Sequence, residues 1–302
     1  MQSPQARLVL LGLVYCASGS LLSWANKLVS IGEYRLDLTV VLILQNTVTF
    51  ALIYALRLLF PEMVRALRVE GWKVIVYQFV PLTMLFCAML TTSLKAFQKA
   101  SISATVVQRN LISLVVAAAE FVFLGNKTSK LALCGLLGIL AGSALFGLHD
   151  VEFDQAGYIW LLLNILASSA FQVLNKRLVH GVELSSFGFS FFNNLISVVM
   201  FVAWALPSGA LVESVDILPK VNLVALGLSC FLGFSLSVSA FALSKEVSAT
   251  SMMVTNNSNK FLLVIAAQAV HQDKEIDFTG WLGCVVAIGC TMLYTYSKMR
   301  KL

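Results

Sequence analysis

Charge is scarce in this sequence. Asp, Glu, Lys and Arg make up only 12% of its 302 residues, while 59% are hydrophobic. A soluble domain carries about 25% charged and about 45–50% apolar residues. Half the usual charge cannot keep a soluble surface wet. A soluble enzyme, a secreted disulfide scaffold and a disordered chain are therefore excluded. Paired cysteines are missing as well. Cys16, Cys87, Cys134, Cys230, Cys284 and Cys290 all lie in apolar runs. None forms Cys-x-x-Cys, and none has His or carboxylate neighbours at metal-ligand spacing. They read as small membrane-helix residues, and no metal or cofactor is expected. His149, His180 and His271 fall outside the apolar runs and read as solvated loop residues. There is no His-Glu-x-x-His, no Gly-x-Ser-x-Gly and no intramembrane carboxylate pair, so the chain does not read as an enzyme. No basic block with interleaved aromatics appears either. The net charge of +6 reads as the positive-inside bias of a membrane protein, not as nucleic-acid binding.

What is present is long apolar runs. A bilayer core needs about 20 apolar residues per helix. Ten runs meet that length, over 8–29, 38–60, 74–94, 102–124, 130–148, 156–178, 187–207, 221–243, 248–270 and 278–297. The first is too long for a signal-peptide core of about 7–15 residues. It ends in Asn26-Lys27 instead of a small-residue cleavage site. The connections are short; the segment Pro61 to Lys73 reads as an interfacial loop or helix. The expected architecture is an all-α integral membrane protein forming one polytopic domain over 1–302.

Ten spans place both termini on one side. With cytosolic termini, Arg7, Arg65, Arg68, Lys73, Lys127, Lys130, Lys176, Arg177, Lys245, Lys298, Arg300 and Lys301 lie at or near the cytosol. Only Arg35, Lys95, Lys99, Lys220 and Lys274 fall opposite. Twelve against five favours cytosolic termini.

The chain also repeats itself. Asn26-Lys27-Leu28-Val29 ends the first run, and Asn175-Lys176-Arg177-Leu178-Val179 ends the sixth. Ser103-Ala104-Thr105 opens the fourth, and Ser248-Ala249-Thr250 the ninth. Gly135, Gly138 and Gly142 space the fifth, and Gly283 and Gly289 the tenth. Three matches in one order indicate two five-helix copies, approximately 1–150 and 151–302. An odd span count forces the copies into opposite orientations, the inverted-repeat plan of secondary transporters. Gly138-x-x-x-Gly142 permits close helix approach. Such faces pack within a chain or between copies, so a homodimer is compatible with the sequence.

Polar groups inside apolar runs carry the chemistry. A charge at mid-membrane costs at least about 2.5–3.5 kcal/mol and normally faces a cavity or a partner. Arg57 is close enough to the end of its run to snorkel. Lys27 and Glu120 read as gate residues or charge partners, Glu120 being either a structural partner or a proton site. Arg109, and Lys260 at the end of Asn256-Asn257-Ser258-Asn259-Lys260, lie on corresponding runs and form a candidate anion site. Arg grips phosphate through two parallel hydrogen bonds, and Lys is a compact charge. Asn193 and Asn194, behind Phe191 and Phe192, present amides able to read a base edge or a sugar hydroxyl; they read equally as helix–helix glue. Ser235, Ser237 and Ser239 in the eighth run and Ser251 and Thr255 in the ninth add hydroxyls, most expected to bond their own helix backbone.

These residues resemble a known family, the nucleotide-sugar transporters of the Golgi within the drug/metabolite transporter superfamily, and most of all its GDP-mannose transporters. Those carry Phe-Tyr-Asn-Asn in the seventh helix, associated with the guanine base, where this chain has Phe191-Phe192-Asn193-Asn194. They carry Gly-Ala-Leu-Asn-Lys in the ninth, associated with sugar and phosphates, where this chain has Asn256-Asn257-Ser258-Asn259-Lys260. Arg109-Asn110-Leu111, with Glu120 beyond, is similar to the family's Lys-Asn-Leu and Gly-Glu. Phe192 lacks the Tyr hydroxyl, Arg109 replaces Lys, and the ninth-helix motif is far more polar here. The resemblance implies a Golgi-membrane antiporter that exchanges a GDP-sugar for the nucleoside monophosphate. A UDP-sugar carrier or a phosphorylated-metabolite translocator is the alternative, and a non-transporting scaffold is less in keeping with Arg109 and Lys260. Partners would be the nucleotide-sugar, the monophosphate and membrane lipid.

Asn126-Lys127-Thr128 has the form of a glycosylation acceptor, yet this topology puts it in the cytosol. The chain made in a glycosylating cell should show no glycosidase-sensitive mass that Asn126→Gln removes. Glycan on Asn126 would invert the topology.

Overall fold

Hydrocarbon offers no water to the backbone, so a membrane-embedded chain closes its hydrogen bonds within helices. The computed structural model describes residues 4–30, 36–61, 71–100, 102–147, 155–257 and 278–299. Among these residues every regular element is helical. The long elements are α1 (Pro4–Ser30), α2 (Leu38–Leu59), α3 (Val80–Lys99), α4 (Ile102–Leu124), α5 (Lys130–Gly147), α6 (Gln155–Gly181), α7 (Ser186–Ala205) and α8 (Leu223–Glu246). They continue with α9, helical over 249–257, and α10 (Phe278–Met299). Among the described residues eight helices are long and apolar enough to cross a membrane, and Lys130–Phe146 is a shorter apolar helix. The chain is thus a multi-pass membrane protein.

Side-chain caps set several starts. Asp37 accepts from the Thr39 amide at 2.8 Å before α2, and Ser185 from Gly188 at 3.1 Å before α7. Asn222 accepts from Ala225 at 3.0 Å before α8. Each oxygen satisfies an amide that the first helical turn leaves open. Two features escape apolar periodicity. The lead-in to α3 runs through Trp72–Val74 and a π-helical turn, Ile75–Phe79. Pro81 follows it; proline has no N–H, and its ring crowds the carbonyl four residues back, so a wider turn relieves the clash. Between α7 and α8, Gly209 takes a left-handed turn at φ 71° and starts a short helix, Ala210–Ile217.

The chain folds as two compact units. One contains Met1–Cys87 and Leu178–Glu246, the other Ala88–Arg177 and Val247–Leu302. In the first unit, α1 packs along α8, and α2 along α7 and α8. Val29, Leu36, Val41, Ala225, Leu226 and Cys230 form its apolar contact. In the second, α5 packs along α10 and α4 along α5, with Ala117, Leu136, Ile139, Val254 and Tyr294 between them. Large apolar side chains such as Leu13, Phe123, Val224 and Phe278 point outward, and buried positions include Gln45, Asn46, Gln108, Asn164 and Asn193. That inversion of the soluble pattern suits a lipid exterior.

The two glycine-spaced helices, α5 and α10, pack against each other. A Cβ on Gly142 would lie 2.7 Å from both the Ala287 nitrogen and the Gly283 oxygen; one on Gly283 would lie 2.6 Å from the Phe146 nitrogen. Gly289 has nothing within 4 Å of its Cβ direction, so it stands outside this seam. Gly142→Leu should destabilise the purified protein by about 1–3 kcal/mol or more, since backbone must move apart. Gly289→Ala should leave the melting temperature of the detergent-solubilised protein unchanged. Equal melting of both variants would contradict the seam.

Candidate functional site

Three consecutive side chains on α4 point to different neighbours, because each helical residue turns about 100°. Gln108 donates to the Asn164 side-chain oxygen on α6 at 2.8 Å. Asn164 in turn donates to the Met89 carbonyl at 2.8 Å and the Thr92 hydroxyl at 3.0 Å on α3. Arg109 is half-buried, and its Nη2 donates to Ser93 Oγ on α3 at 3.3 Å. Asn110 donates to Ser143 Oγ on α5 at 2.6 Å. The guanidinium therefore leaves a helix whose flanking amides are bonded to two others, α6 and α5.

Asn257 on α9 is buried. Its Nδ2 donates to the Arg109 carbonyl at 2.7 Å and to Ser113 Oγ at 3.0 Å. Its Oδ1, like that of Asn110, is buried with no hydrogen-bond partner among the described residues. Glu120 lies at the other end of α4, also buried. Oε1 accepts from the Ala249 amide at 3.0 Å, and Oε2 from the Thr250 amide at 3.0 Å and the Thr250 hydroxyl. All three donors belong to the start of α9, where open amides and the helix dipole favour a negative charge. Eleven residues separate Glu120 from Arg109, about 16 Å along one helix, and the carboxylate's bonds run to α9.

In the other unit, α7 carries the amide pair. Asn193 is buried, its Oδ1 accepting from Thr83 Oγ1 at 3.3 Å. Asn194 donates to the Ser190 carbonyl at 2.7 Å and to Ser237 Oγ on α8 at 2.8 Å. Ser190 and Ser237 share a bond of 2.7 Å. Phe192 lies against Phe79, ring centroids 5.3 Å apart, and meets Phe191 edge-on at 5.4 Å. Of the α8 hydroxyls, Ser239 bonds its own helix through the Ser235 carbonyl, while Ser235 and Ser237 bond across to Ser18 and Asn194.

The structure thus joins Arg109 to Asn257 within one unit, and Phe192, Asn193 and Asn194 within the other. Asn256 is half-buried on α9. Ser258, Asn259 and Lys260 lie outside the described residues, as does the side chain of Lys27. Sequence reading singled out charges and adjacent amides, and passed over isolated ones. Gln45, which donates to Asn26 at 2.7 Å, and Gln108 with Asn164 are single amides within apolar runs. A buried amide in lipid needs a partner, and that rule alone would have flagged them.

Residues 8–295 match the model of the Triose-phosphate Transporter family. The chain belongs to that family. It is therefore a transporter by family and not an enzyme. A GDP-mannose transporter of Arabidopsis thaliana is 27% identical over 296 residues, covering 95% of this chain and 77% of that protein. A GDP-fucose transporter of the same plant is 29% identical over 197 residues, 62% of this chain and 58% of that protein. A solved crystal structure aligns over 98% of each chain with a TM-score of 0.68 and 16% identity, a likeness of fold alone.

Proposed function

We propose that this protein is a nucleotide-sugar antiporter. Its cargo is a GDP-sugar such as GDP-mannose, carried into the Golgi lumen in exchange for GMP by alternating access, with both termini cytosolic. The observation that carries the reading is similarity along 95% of the chain to a GDP-mannose transporter, together with an arginine inside an apolar helix. Two phosphates bring two negative charges, and Arg109 and Lys260 answer them. Asn193 and Asn194 read the base beside Phe192. Asn256, Ser258, Asn259 and the open Oδ1 of Asn257 meet sugar hydroxyls. Glu120 does not neutralise the anion site in this reading, because its bonds run to α9. Lys27 serves as a gate or charge partner.

The transport fold we propose is ten spans in two inverted five-helix repeats, approximately 1–150 and 151–302. It is supported by three of the five corresponding pairs: α4 with α9 and α5 with α10 share one compact unit, and α2 with α7 the other, while α1 and α6, like α3 and α8, fall mainly in different units. Exchange follows from charge. An empty anion site holds two like charges and reorients slowly, and bound substrate relieves the repulsion. A UDP-sugar is the second reading, since Arg109 and Lys260 would meet the diphosphate of either nucleotide.

Thermal stabilisation across a nucleotide panel tests the cargo. A ligand at about 100 times its Kd adds about 2.7 kcal/mol. GMP and one GDP-sugar should raise the melting temperature, and UMP should not. Arg109→Ala should lose at least about half of that shift, from a loss of about tenfold or more in affinity for a charge-assisted phosphate contact. Stabilisation by UMP alone would move the assignment to a UDP-sugar, and silence across the panel would refute nucleotide recognition.

A further inference from the structure

The polar ties between α4 and α9 sit at the two ends of one antiparallel contact. Glu120 holds 249–250, and Asn257 holds Arg109 and Ser113. Between the ties runs an apolar stripe of Ile112 and Val116 against Ala249 and Met253, all buried. On α9 the ties are about 12 Å apart, eight residues at about 1.5 Å each. Sliding one helix along the other by a turn would break five hydrogen bonds, three to Glu120 and two from Asn257. Each would leave a buried polar group open in a region without water, where such a loss is costly.

The chemistry of the two ties is specific. Both Glu120 oxygens accept, and all their described partners are donors. A carboxylate fits that set. An amide in its place would turn an N–H against the Ala249 or Thr250 N–H, whereas either oxygen of a carboxyl group can accept. The Arg109 carbonyl takes the Asn257 N–H through its second lone pair, without giving up the helix bond of the first. Asn257 therefore grips α4 at the residue that carries the guanidinium.

We propose that Glu120 and Asn257 are positioning residues. They lock α9 to α4 in a single register, so that Arg109 and α9 move as one body through the transport cycle. This rests on the reading of Arg109 as the phosphate-binding group. It assigns Glu120 a structural role at the start of α9.

A cross-link that substitutes for the ties gives the test. Val116→Cys with Met253→Cys should form a disulfide under copper phenanthroline, and exchange by the oxidised protein should equal that of the reduced protein. Glu120→Gln should raise the KM for exchange about tenfold or more, as for lost charge-assisted hydrogen bonds, with a smaller change in kcat. It should also lower the melting temperature without any ligand. Oxidation in the Glu120→Gln, Val116→Cys, Met253→Cys protein should restore both KM and melting temperature. Asn257→Ala in the same background gives a second variant should Glu120→Gln fail to fold, and oxidation should restore its melting temperature likewise. Loss of exchange on oxidation of the otherwise native pair would show that the helices slide, and would overturn the proposal. So would a Glu120→Gln KM that oxidation leaves raised, or a cysteine pair that does not cross-link. The ligand-free melting temperatures report on the lock even if the cargo is not a nucleotide-sugar, so that error would show in the panel and leave this result standing.

Discussion

A chain that lives in hydrocarbon must finish its own hydrogen bonds, and Glu120 is where that requirement presses hardest. A buried carboxylate without donors would be prohibitive. Here it draws two amides and a hydroxyl from the start of α9. One side chain thus supplies the cap that α9 needs and receives the donors that its own charge needs. The same α4 carries Arg109 eleven residues earlier, and α9 meets it there through the bond from Asn257 to the Arg109 carbonyl. Gln108, Asn110 and Asn257 extend the pattern to α6, α5 and α9. The polar residues of this unit form a frame around Arg109.

Helix contacts elsewhere follow from two simpler rules. Where no side chain intervenes, backbones approach, as at Gly142 and Gly283. Where amides and hydroxyls lie on facing helices, they bond in pairs, as Asn194 does with Ser237 and Gln45 with Asn26. Neither depends on a hydrophobic drive between helices, which lipid does not provide. Outward faces are left to residues such as Leu13 and Phe278, whose only requirement is compatibility with acyl chains.

Much of this was legible in the residues. The apolar runs from 38, 102, 130 and 278 match the starts of α2, α4, α5 and α10 to the residue, because hydropathy changes abruptly at Asp37, Ser101, Ser129 and Asp277. The π turn before Pro81 and the short helix after Gly209 were not legible. One follows from the proline ring and the other from a left-handed glycine, local backbone features to which an apolar window is blind. The interleaving of the two compact units was hidden too, since contact between distant segments leaves no periodic trace. For the site, residue types were readable and partners were not. Arg109 and Asn257 stand 148 residues apart in sequence, and only the folded chain shows that they touch. Glu120 could be read as structural, but its partner is a helix end and not a basic side chain, a distinction that composition does not encode.

The central claim is obligatory exchange of a nucleotide-sugar for its nucleoside monophosphate. It is tested most directly by uptake into liposomes containing the purified protein, with labelled GDP-mannose outside and the lumen either empty or loaded with GMP. The account predicts rapid uptake into GMP-loaded vesicles and little into empty ones. Equal uptake into both, or none into either while a UDP-sugar or a small phosphorylated metabolite is exchanged, would contradict it.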